Sequence, residues 1–346
     1  MDSAFIIEKG IFIFAIFALT MIMAMYSTLA ERKVAAWLQD RIGPNRAGKG
    51  GILQPLADGL KLFSKEEFSP DTPNKFLFIV GPAISMSVAL MTSAVIPWGD
   101  KLIIGGRTVI LQATDVDAAV LYVFGVLSVG VYGIMIGGWA SNNKFSLMSA
   151  MRAASQMISY EVAMGLSLIA LLMMSGTLSL REISAQQHGM HWNVFYQPLG
   201  FIIFLVCSFA ETNRTPFDLA ECEAELIGGY HTEYSSMRMG FYLFAEYASM
   251  FISSTILAVL YFGGYNYPGM GWAVEHWGVN PANLIGFGVL FVKICFFIFF
   301  YMWVRWTIPR FRYDQLMRLG WKILIPLAIA NIFITGIAIL WADGKF

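Results

Sequence analysis

Long apolar segments alternate with polar segments along the whole chain. A helix of about 20 apolar residues crosses the hydrocarbon core of a bilayer, which is roughly 30 Å thick. Eight apolar runs approach this length, at about 5–26, 76–97, 117–138, 155–174, 196–210, 238–262, 282–303 and 320–341. The pattern predicts an all-α, polytopic membrane protein with eight transmembrane helices in a single integral-membrane domain, residues 1–346. The fifth run is short, because Glu211 follows it at once.

The composition agrees with this interpretation. Hydrophobic residues make up 57% of the chain and charged residues only 13%, which excludes an ordinary soluble domain. The residues before the first apolar run are mixed in charge, and the run is longer than the apolar region of a signal peptide. We therefore expect the first run to remain in the protein as its first spanning helix.

Basic residues are concentrated in alternate loops. Most of the 23 Lys and Arg residues lie in the connections after the odd-numbered apolar runs, at about 27–75, 139–154, 211–237 and 304–319. Loops rich in Lys and Arg remain on the cytoplasmic side of a membrane. These four loops are predicted to be cytoplasmic and both termini periplasmic, in a multi-pass protein of the bacterial inner membrane.

A short amphipathic segment, "GILQPLADGLKLFSKEEF", lies in the first of these loops. Its apolar residues follow helical spacing: Ile52, Leu53, Leu56, Leu60 and Phe63. Asp58, Lys61 and Lys65 line another face. The segment is too short and too charged to span, which predicts a helix at the membrane surface. It is either a plain surface helix or a ledge over which an amphipathic lipid enters the protein. Asp58 distinguishes the two, because a carboxylate near anionic headgroups is costly without a purpose or a partner.

Two carboxylates interrupt apolar runs at similar depths. Glu161 lies roughly 13 Å of helix rise beyond Arg152, and Glu246 lies at a similar depth beyond Arg238. A carboxylate inside a spanning helix is expensive and is expected to face the bundle interior. Burial favours its neutral form, so both residues are candidate proton carriers. The alternative for each is a structural hydrogen bond to a facing helix, but two carboxylates at matched depth favour function.

The segment "FAETNRTPFDLAECEAEL" has one basic residue, Arg214, and an unusual number of acids. Its carboxylates are Glu211, Asp218, Glu221, Glu223 and Glu225. They alternate with apolar residues instead of Ser, Gly or Lys, which predicts a buried or half-buried acidic cluster, although a solvated acidic loop is the alternative.

The local pattern in this segment also predicts a helix start. Thr215 has the position of an N-cap, Pro216 of the first helical residue, and Asp218 of the third. Continued from there, a helix places Asp218, Glu221 and Glu225 along one face. Glu223 then points elsewhere, toward Arg214 or a neighbouring subunit.

Other function classes fit the sequence less well. The three cysteines are far apart and show no CxxC spacing, and the four histidines form no metal-ligand set, so we expect the chain to have no redox centre or metal of its own. An ion-coupled secondary transporter also needs intramembrane carboxylates, but it shows inverted repeats that are not evident here. A passive membrane anchor has no use for Glu161 and Glu246.

Three longer segments carry a resemblance to a known family. They are "ERKVAAWLQDRIGPNRAGKGGILQPLADGLKLFSKEE", "SQMISYE" and "AETNRTPFDLAECEAELIGGYHTEY". They resemble the H subunit of NADH-quinone oxidoreductase, the respiratory complex I, and its mitochondrial counterpart, the first membrane subunit of NADH dehydrogenase. The similarity extends from about Leu29 to "PRFRYDQLMRLGWK". Membrane subunits of related hydrogenases or other quinone- or ferredoxin-linked complexes share the fold and remain the alternative.

The resemblance implies an eight-helix subunit of a proton-pumping NADH:quinone oxidoreductase, which is catalytic only within the complex. Quinone is then a substrate, FMN and iron–sulfur clusters belong to partner subunits, and antiporter-like membrane subunits are further partners. Arg32, Asp58 and Lys61 are implied to flank the entrance of the quinone chamber. The implied proton path consists of Glu211, Arg214, Asp218, Glu221, Glu223 and Glu225, continued into the membrane by Glu161 and Glu246.

Overall fold

The computed structural model describes residues 3–70, 74–220 and 223–342 as a bundle of helices. The helices are α1 Ser3–Leu38, α2 Gln54–Ser64, α3 Lys75–Thr92, α4 Ala119–Ala140, α5 Lys144–Ser175, α6 Leu180–Gln186, α7 Asn193–Tyr196, α8 Pro198–Glu211, α9 Glu223–Leu226, α10 Ser236–Tyr261, α11 Met270–Trp277, α12 Val279–Thr307, α13 Tyr313–Arg318 and α14 Ile325–Ala342. A π-helical turn, Leu319–Leu324, joins α13 to α14.

Seven helical segments within the described ranges are long and apolar enough to cross a membrane. They are Ile6–Leu38, Lys75–Val95, Ala119–Ala140, Lys144–Ser175, Ser236–Tyr261, Val279–Thr307 and Tyr313–Ala342. The prediction of a polytopic helical membrane protein is therefore confirmed. The fifth predicted span corresponds to α8, an apolar helix of 14 residues that rises about 21 Å.

Several helices extend well beyond the apolar runs that predicted them. Helix α1 continues to Leu38, and α5 begins at Lys144, where the Asn143 side chain accepts a hydrogen bond from the Phe145 N–H. The predicted loop 139–154 is therefore wrong in its bounds, since only residues 141–143 separate α4 from α5. Hydrophobicity marks the part of a helix that lies in apolar surroundings, whereas the hydrogen-bonded helix continues through polar turns.

The chain also forms a β-hairpin that the all-α prediction missed. Strands β1 Lys101–Ile104 and β2 Arg107–Ile110 pair antiparallel, with Lys101 opposite Ile110. Each strand has only four residues, too few to show a clear alternation of apolar and polar positions. Asn280, near the start of α12, bonds both the N–H and the carbonyl of Ile103 at 2.7 Å.

The connections between helices gather at two ends of the bundle. At the end that we call the loop end, Ser236 Oγ donates to the Leu62 carbonyl, the Phe311 N–H donates to the Pro216 carbonyl, and Asn143 Nδ2 donates to Glu233 Oε1. These bonds join all four of the basic loops that the sequence placed on one side. The hairpin, α6 and α11 lie at the other end, the hairpin end.

Tight packing of α4 against α10 depends on glycine. A Cβ atom at Gly137 would overlap the hydroxyl of Tyr242, which is itself hydrogen-bonded to the Gly133 carbonyl at 3.1 Å. We expect Gly137→Ala to destabilise the protein by about 1–3 kcal/mol, the usual cost of overpacking a core. Gly125→Ala is the control on the same helix, because no atom lies within 4 Å of its added Cβ. Thermal denaturation of the two purified variants checks this, and equal melting temperatures would contradict it.

Candidate functional site

A cavity of about 570 Å³ opens between α1, α2 and α10 near the loop end. Its volume falls in the range of small-molecule sites. Apolar side chains, among them Leu62, Leu243 and Phe244, form much of its wall. The three residues predicted to flank a chamber entrance, Arg32, Asp58 and Lys61, all line this cavity.

Arg32 and Asp58 form an ion pair across the cavity. Arg32 Nη1 lies 2.7 Å from Asp58 Oδ2, and Gln54 Nε2 donates to Asp58 Oδ1 at 3.1 Å. Asp58 therefore has an arginine from α1 as its partner. Lys61 is exposed at the rim of the cavity.

Helix α2 is held so that its polar face borders the cavity. It begins with Pro55 in its first turn, and Ser236 Oγ donates to the carbonyls of Leu62 and Lys65 at its end. The predicted apolar stripe points outward, with residue exposures between 48% and 71%, for Ile52, Leu53, Leu56, Leu60 and Phe63.

A second cavity of about 220 Å³ lies beside the first and shares two residues with it. Arg32 and Tyr247 border both cavities, while Glu31 and Trp306 border only the second. The two cavities are thus adjacent, and the second exposes a carboxylate that belongs to a buried ionic network.

The centre of that network is Arg214, whose side chain is 1% exposed. Its Nη1 lies 2.6 Å from Glu31 Oε2, and its Nε lies 2.7 Å from Glu246 Oε1. Arg305 Nη1 contacts the other oxygen of Glu31 at 2.7 Å, and the Tyr247 ring lies 4.3 Å from the guanidinium of Arg214. Two carboxylates and two guanidinium groups balance one another, so the network is electrically neutral when all four are charged.

Sequence reasoning missed two members of this network. Glu31 lies where the apolar run had ended, and Arg305 was assigned only to a basic loop. Glu246 was predicted as a candidate proton carrier or a structural hydrogen-bonding group, without a named partner, and it is paired with Arg214. The partners come from α1, α10, α12 and the segment after α8, so no local pattern could have shown them. The one available signal was the high cost of burying an acid, which requires a cation nearby.

A third cavity, which we call the interior cavity, lies inside the bundle. Its volume is about 70 Å³, more than the roughly 10–15 Å³ that one water molecule needs. Glu246 and Glu211 both line it, together with Ser249, Tyr230 and Tyr242. Glu246 therefore belongs to the ionic network and to the interior cavity at once.

Glu211 and Glu161 continue this arrangement between α4, α5 and α8. Glu211 Oε2 is buried and has no hydrogen-bond partner among the residues that the structure describes. Ser128 Oγ donates to Glu161 Oε2 at 3.1 Å, so Glu161 faces α4, inside the bundle as expected. The side chains of Glu211 and Glu161 lie near enough to each other to interact electrostatically.

The segment after α8 is a non-helical loop, so the predicted helix start at Thr215 is wrong. Residues 212–220 contain turns, and the Thr215–Pro216 peptide bond is cis. The Pro216 carbonyl accepts from the Phe311 N–H, and Phe217 packs its ring near Tyr160 and Phe311. Tertiary packing of a buried aromatic ring thus overrides the local capping pattern.

The predicted acidic face is also wrong, because no continuous helix joins its members. Asp218 is buried and lies 3.0 Å from Arg310, whereas Glu225 is 56% exposed and lies 2.7 Å from Arg152. The predicted buried acidic cluster therefore holds for Asp218 and not for Glu225. Glu221 lies outside the described residues, and Glu223 begins α9 with a side chain that is outside them too.

These features define a class: a multi-span membrane protein in which buried ionisable groups connect large cavities near one end to the bundle interior. The family model described as NADH dehydrogenase matches residues 11–336, and the chain belongs to this family.

Curated relatives share nearly the whole length. A protein of Flavobacterium psychrophilum is 81% identical over 340 residues, covering 98% of this chain and 99% of that protein. A protein of Leptospira biflexa is 46% identical over 355 aligned residues, covering 99% and 98%. Both are named as the H subunit of NADH-quinone oxidoreductase.

Proposed function

We propose that this chain is a membrane subunit of a proton-pumping NADH:quinone oxidoreductase, in which it forms part of the quinone chamber and a path for protons. The membership in the NADH dehydrogenase family and the names of the relatives support this proposal. FMN and the iron–sulfur clusters belong to partner subunits, and this chain is catalytic only within the complex.

The cavity between α1, α2 and α10 is the entrance for quinone. Its apolar wall suits an isoprenoid tail, while the Arg32–Asp58 pair offers hydrogen-bonding groups to a quinone head. Helix α2 lies at the membrane surface with its outward apolar stripe in lipid. A quinone therefore enters from the bilayer between α1 and α2.

The placement in the membrane follows from the same features. Seven long helices and α8 make the eight spans of a single domain, and the loop end lies on the cytoplasmic side of the inner membrane with both termini opposite. Peripheral subunits with the iron–sulfur and quinone sites contact the loop end. Antiporter-like membrane subunits lie beside the bundle.

One observation carries the proton function: a single ionic network touches both the outer cavities and the interior cavity. Tyr247 and Glu31 border the outer cavities, Arg214 contacts Glu31, and Glu246 lines the interior cavity. In a buried, low-dielectric setting, a change of charge on one side acts strongly on its neighbours. A negative charge that appears on a quinone near Tyr247 therefore changes the proton affinity of Glu246.

The acidic path runs from this network into the bundle. Glu246 and Glu211 exchange protons through water in the interior cavity, and Glu161 receives them from Glu211. Asp218 and Arg310 stabilise the loop beside Arg214. Glu221, Glu223 and Glu225 are further members of the proposed path, and Glu225 lies 2.7 Å from Arg152 at the loop end.

Substitutions at the cavity test the quinone assignment. We expect Asp58→Asn or Arg32→Ala to raise the quinone KM or lower quinone reduction by about tenfold, because either change leaves one charge without its partner beside the cavity. NADH oxidation with a hydrophilic artificial acceptor should be unchanged, since that reaction needs no quinone chamber. Arg107→Ala, an exposed residue of the β-hairpin, is the control.

Two results would count against the assignment. Wild-type quinone kinetics in both variants would remove Arg32 and Asp58 from the site. Equal loss of both activities, with a reduced amount of complex, would make them assembly residues.

A further inference from the structure

The connection between α9 and α10 contains a short turn that the path described above does not use. The turn, Gly229–His231, packs against α4 and α5 at the loop end. Tyr230 is buried, with 5% of its surface exposed, whereas the next residue, His231, is partly exposed. The two residues therefore lie between the surface of the protein and its interior.

Tyr230 reaches the interior cavity, where Glu211 and Glu246 lie. Its ring packs perpendicular to that of Tyr242, with 5.1 Å between the centroids. A phenol hydroxyl both donates and accepts hydrogen bonds, so Tyr230 is able to pass a proton to water in the cavity.

His231 stands directly outside Tyr230. The two rings are 5.1 Å apart and perpendicular. Burial lowers the pKa of His231, so its imidazole is neutral near pH 7 and has one nitrogen that donates and one that accepts. Nearby, the partly exposed Glu233 accepts from Asn143 Nδ2 at 2.7 Å. Ionisable and polar groups thus extend from the surface to the interior cavity.

The ionic network around Arg214 makes it unfavourable for protons to reach Glu246 from the outer cavities. A proton that travels from the outer cavities to Glu246 must pass Arg214, which is fully buried, and Arg305, which borders Glu31. A positive charge near buried guanidinium groups is strongly repelled. The turn at Tyr230 reaches the same interior cavity on the side of Tyr242, without passing between those two arginines.

We propose that His231 and Tyr230 form a proton inlet from the loop end to the interior cavity, through which water at the loop end supplies protons to Glu211 and Glu246. This inference rests on the proposed function, in which those carboxylates carry protons. The quinone chamber then sets the charge of the network, while the protons that refill the carboxylates arrive through the turn.

The transfer is balanced without any redox step. His231 takes a proton from water at one ring nitrogen and releases the proton of the other nitrogen, through a water molecule, to the Tyr230 oxygen. The Tyr230 hydroxyl proton passes to water in the interior cavity and from there to Glu211. Only N–H and O–H bonds form and break. The net result is one proton moved inward, after which a rotation or tautomer change resets both side chains.

Neighbouring tyrosines provide a control for packing. Tyr234 belongs to the same aromatic group, with its ring 5.1 Å from that of Tyr242, but its hydroxyl donates to the Phe78 carbonyl at 3.0 Å and it does not border the interior cavity. A substitution that removes the Tyr234 hydroxyl therefore perturbs the group without interrupting the inlet.

The experiment uses the whole complex in sealed vesicles and measures NADH:quinone turnover together with proton uptake from the loop-end side. We expect His231→Ala and Tyr230→Phe to slow both rates by about tenfold, less than the 10²–10⁴ of a fully essential acid–base group, because water substitutes in part. Added imidazole should restore the His231→Ala rate. Tyr234→Phe should keep more than half of the wild-type rate, and the quinone KM should stay unchanged in every variant.

Two outcomes would overturn the inlet. One is wild-type turnover and proton uptake in both His231→Ala and Tyr230→Phe. The other is a loss that imidazole does not restore and that Tyr234→Phe shares, which would mean a packing role. If His231→Ala lowers the amount of complex, His231→Gln is measured in its place and judged by the same two outcomes. Gln forms hydrogen bonds as His does, but it does not carry a proton. If the inlet is wrong but the quinone chamber is right, the quinone KM still changes in the Arg32 and Asp58 variants and stays unchanged in the His231 and Tyr230 variants. The quinone KM therefore distinguishes failure of the inlet from failure of the proposed quinone site.

Discussion

Replacing Arg214 by Met is expected to prevent assembly of an active complex. Met has a similar volume and no charge, so the change leaves Glu31 and Glu246 buried with only Arg305 as counter-ion. Removing one partner from a buried ion pair costs about 3–5 kcal/mol, a large part of the stability of a folded protein. The measurement is the amount of assembled complex in the membrane, followed by NADH:quinone turnover.

A second change tests the reason for this loss. Arg214→Met combined with Glu246→Gln removes the guanidinium and one of its carboxylates together, so the charges of Glu31 and Arg305 again balance. We expect this double variant to recover much of the assembled complex while remaining slow in turnover. Arg107→Ala, at an exposed position, should have no effect. Normal assembly of the Arg214→Met variant alone would mean that the network contributes little to the fold.

The Glu161→Gln substitution is expected to reduce turnover by about a hundredfold in a complex of normal abundance. Gln is nearly isosteric with a neutral Glu and still accepts the hydrogen bond of Ser128, but it does not exchange a proton. A purely structural role would cost only about 1 kcal/mol of stability, the net value of one hydrogen bond, and would leave turnover almost unchanged. Glu161→Asp should retain part of the rate, because a carboxylic acid remains.

The same change at Glu246 has a different meaning. Glu246→Gln removes a carboxylate from its 2.7 Å contact with Arg214, so it also leaves a buried cation with one partner fewer. Its effect therefore combines lost proton exchange with lost charge balance. Wild-type turnover in both the Glu161→Gln and Glu246→Gln variants would contradict a relay and leave both carboxylates as packing groups.

The sequence predicted well those features that depend on local periodicity. Apolar runs located the spanning helices, and the spacing in residues 52–63 predicted the outward apolar stripe of α2. Lys and Arg counts predicted that four loops share one end of the bundle. Asp58 was expected to have a purpose or a partner, and Arg32 lies 2.7 Å from it. The signals that predicted these features lie within one helix or one loop.

The sequence failed where distant segments decide the structure. The capping pattern at Thr215 did not produce a helix, because Phe217 is buried against Tyr160 and Phe311. The pairing of Glu31 with Arg214 joins α1 to the segment after α8 and has no local signature. A charged residue in an apolar segment indicates that the folded protein contains a partner for it. Only the packing of the helices shows which residue that partner is.

The central claim is that carboxylates inside this chain carry protons during quinone reduction. The most direct test measures protons taken up per NADH oxidised in sealed vesicles that contain the complex with Glu161→Gln. Glu275→Gln, at an exposed position of α11, is the matched control. The account predicts the wild-type ratio for the control and a clearly lower ratio in the residual turnover of Glu161→Gln. A wild-type ratio at a wild-type rate in both variants would contradict it.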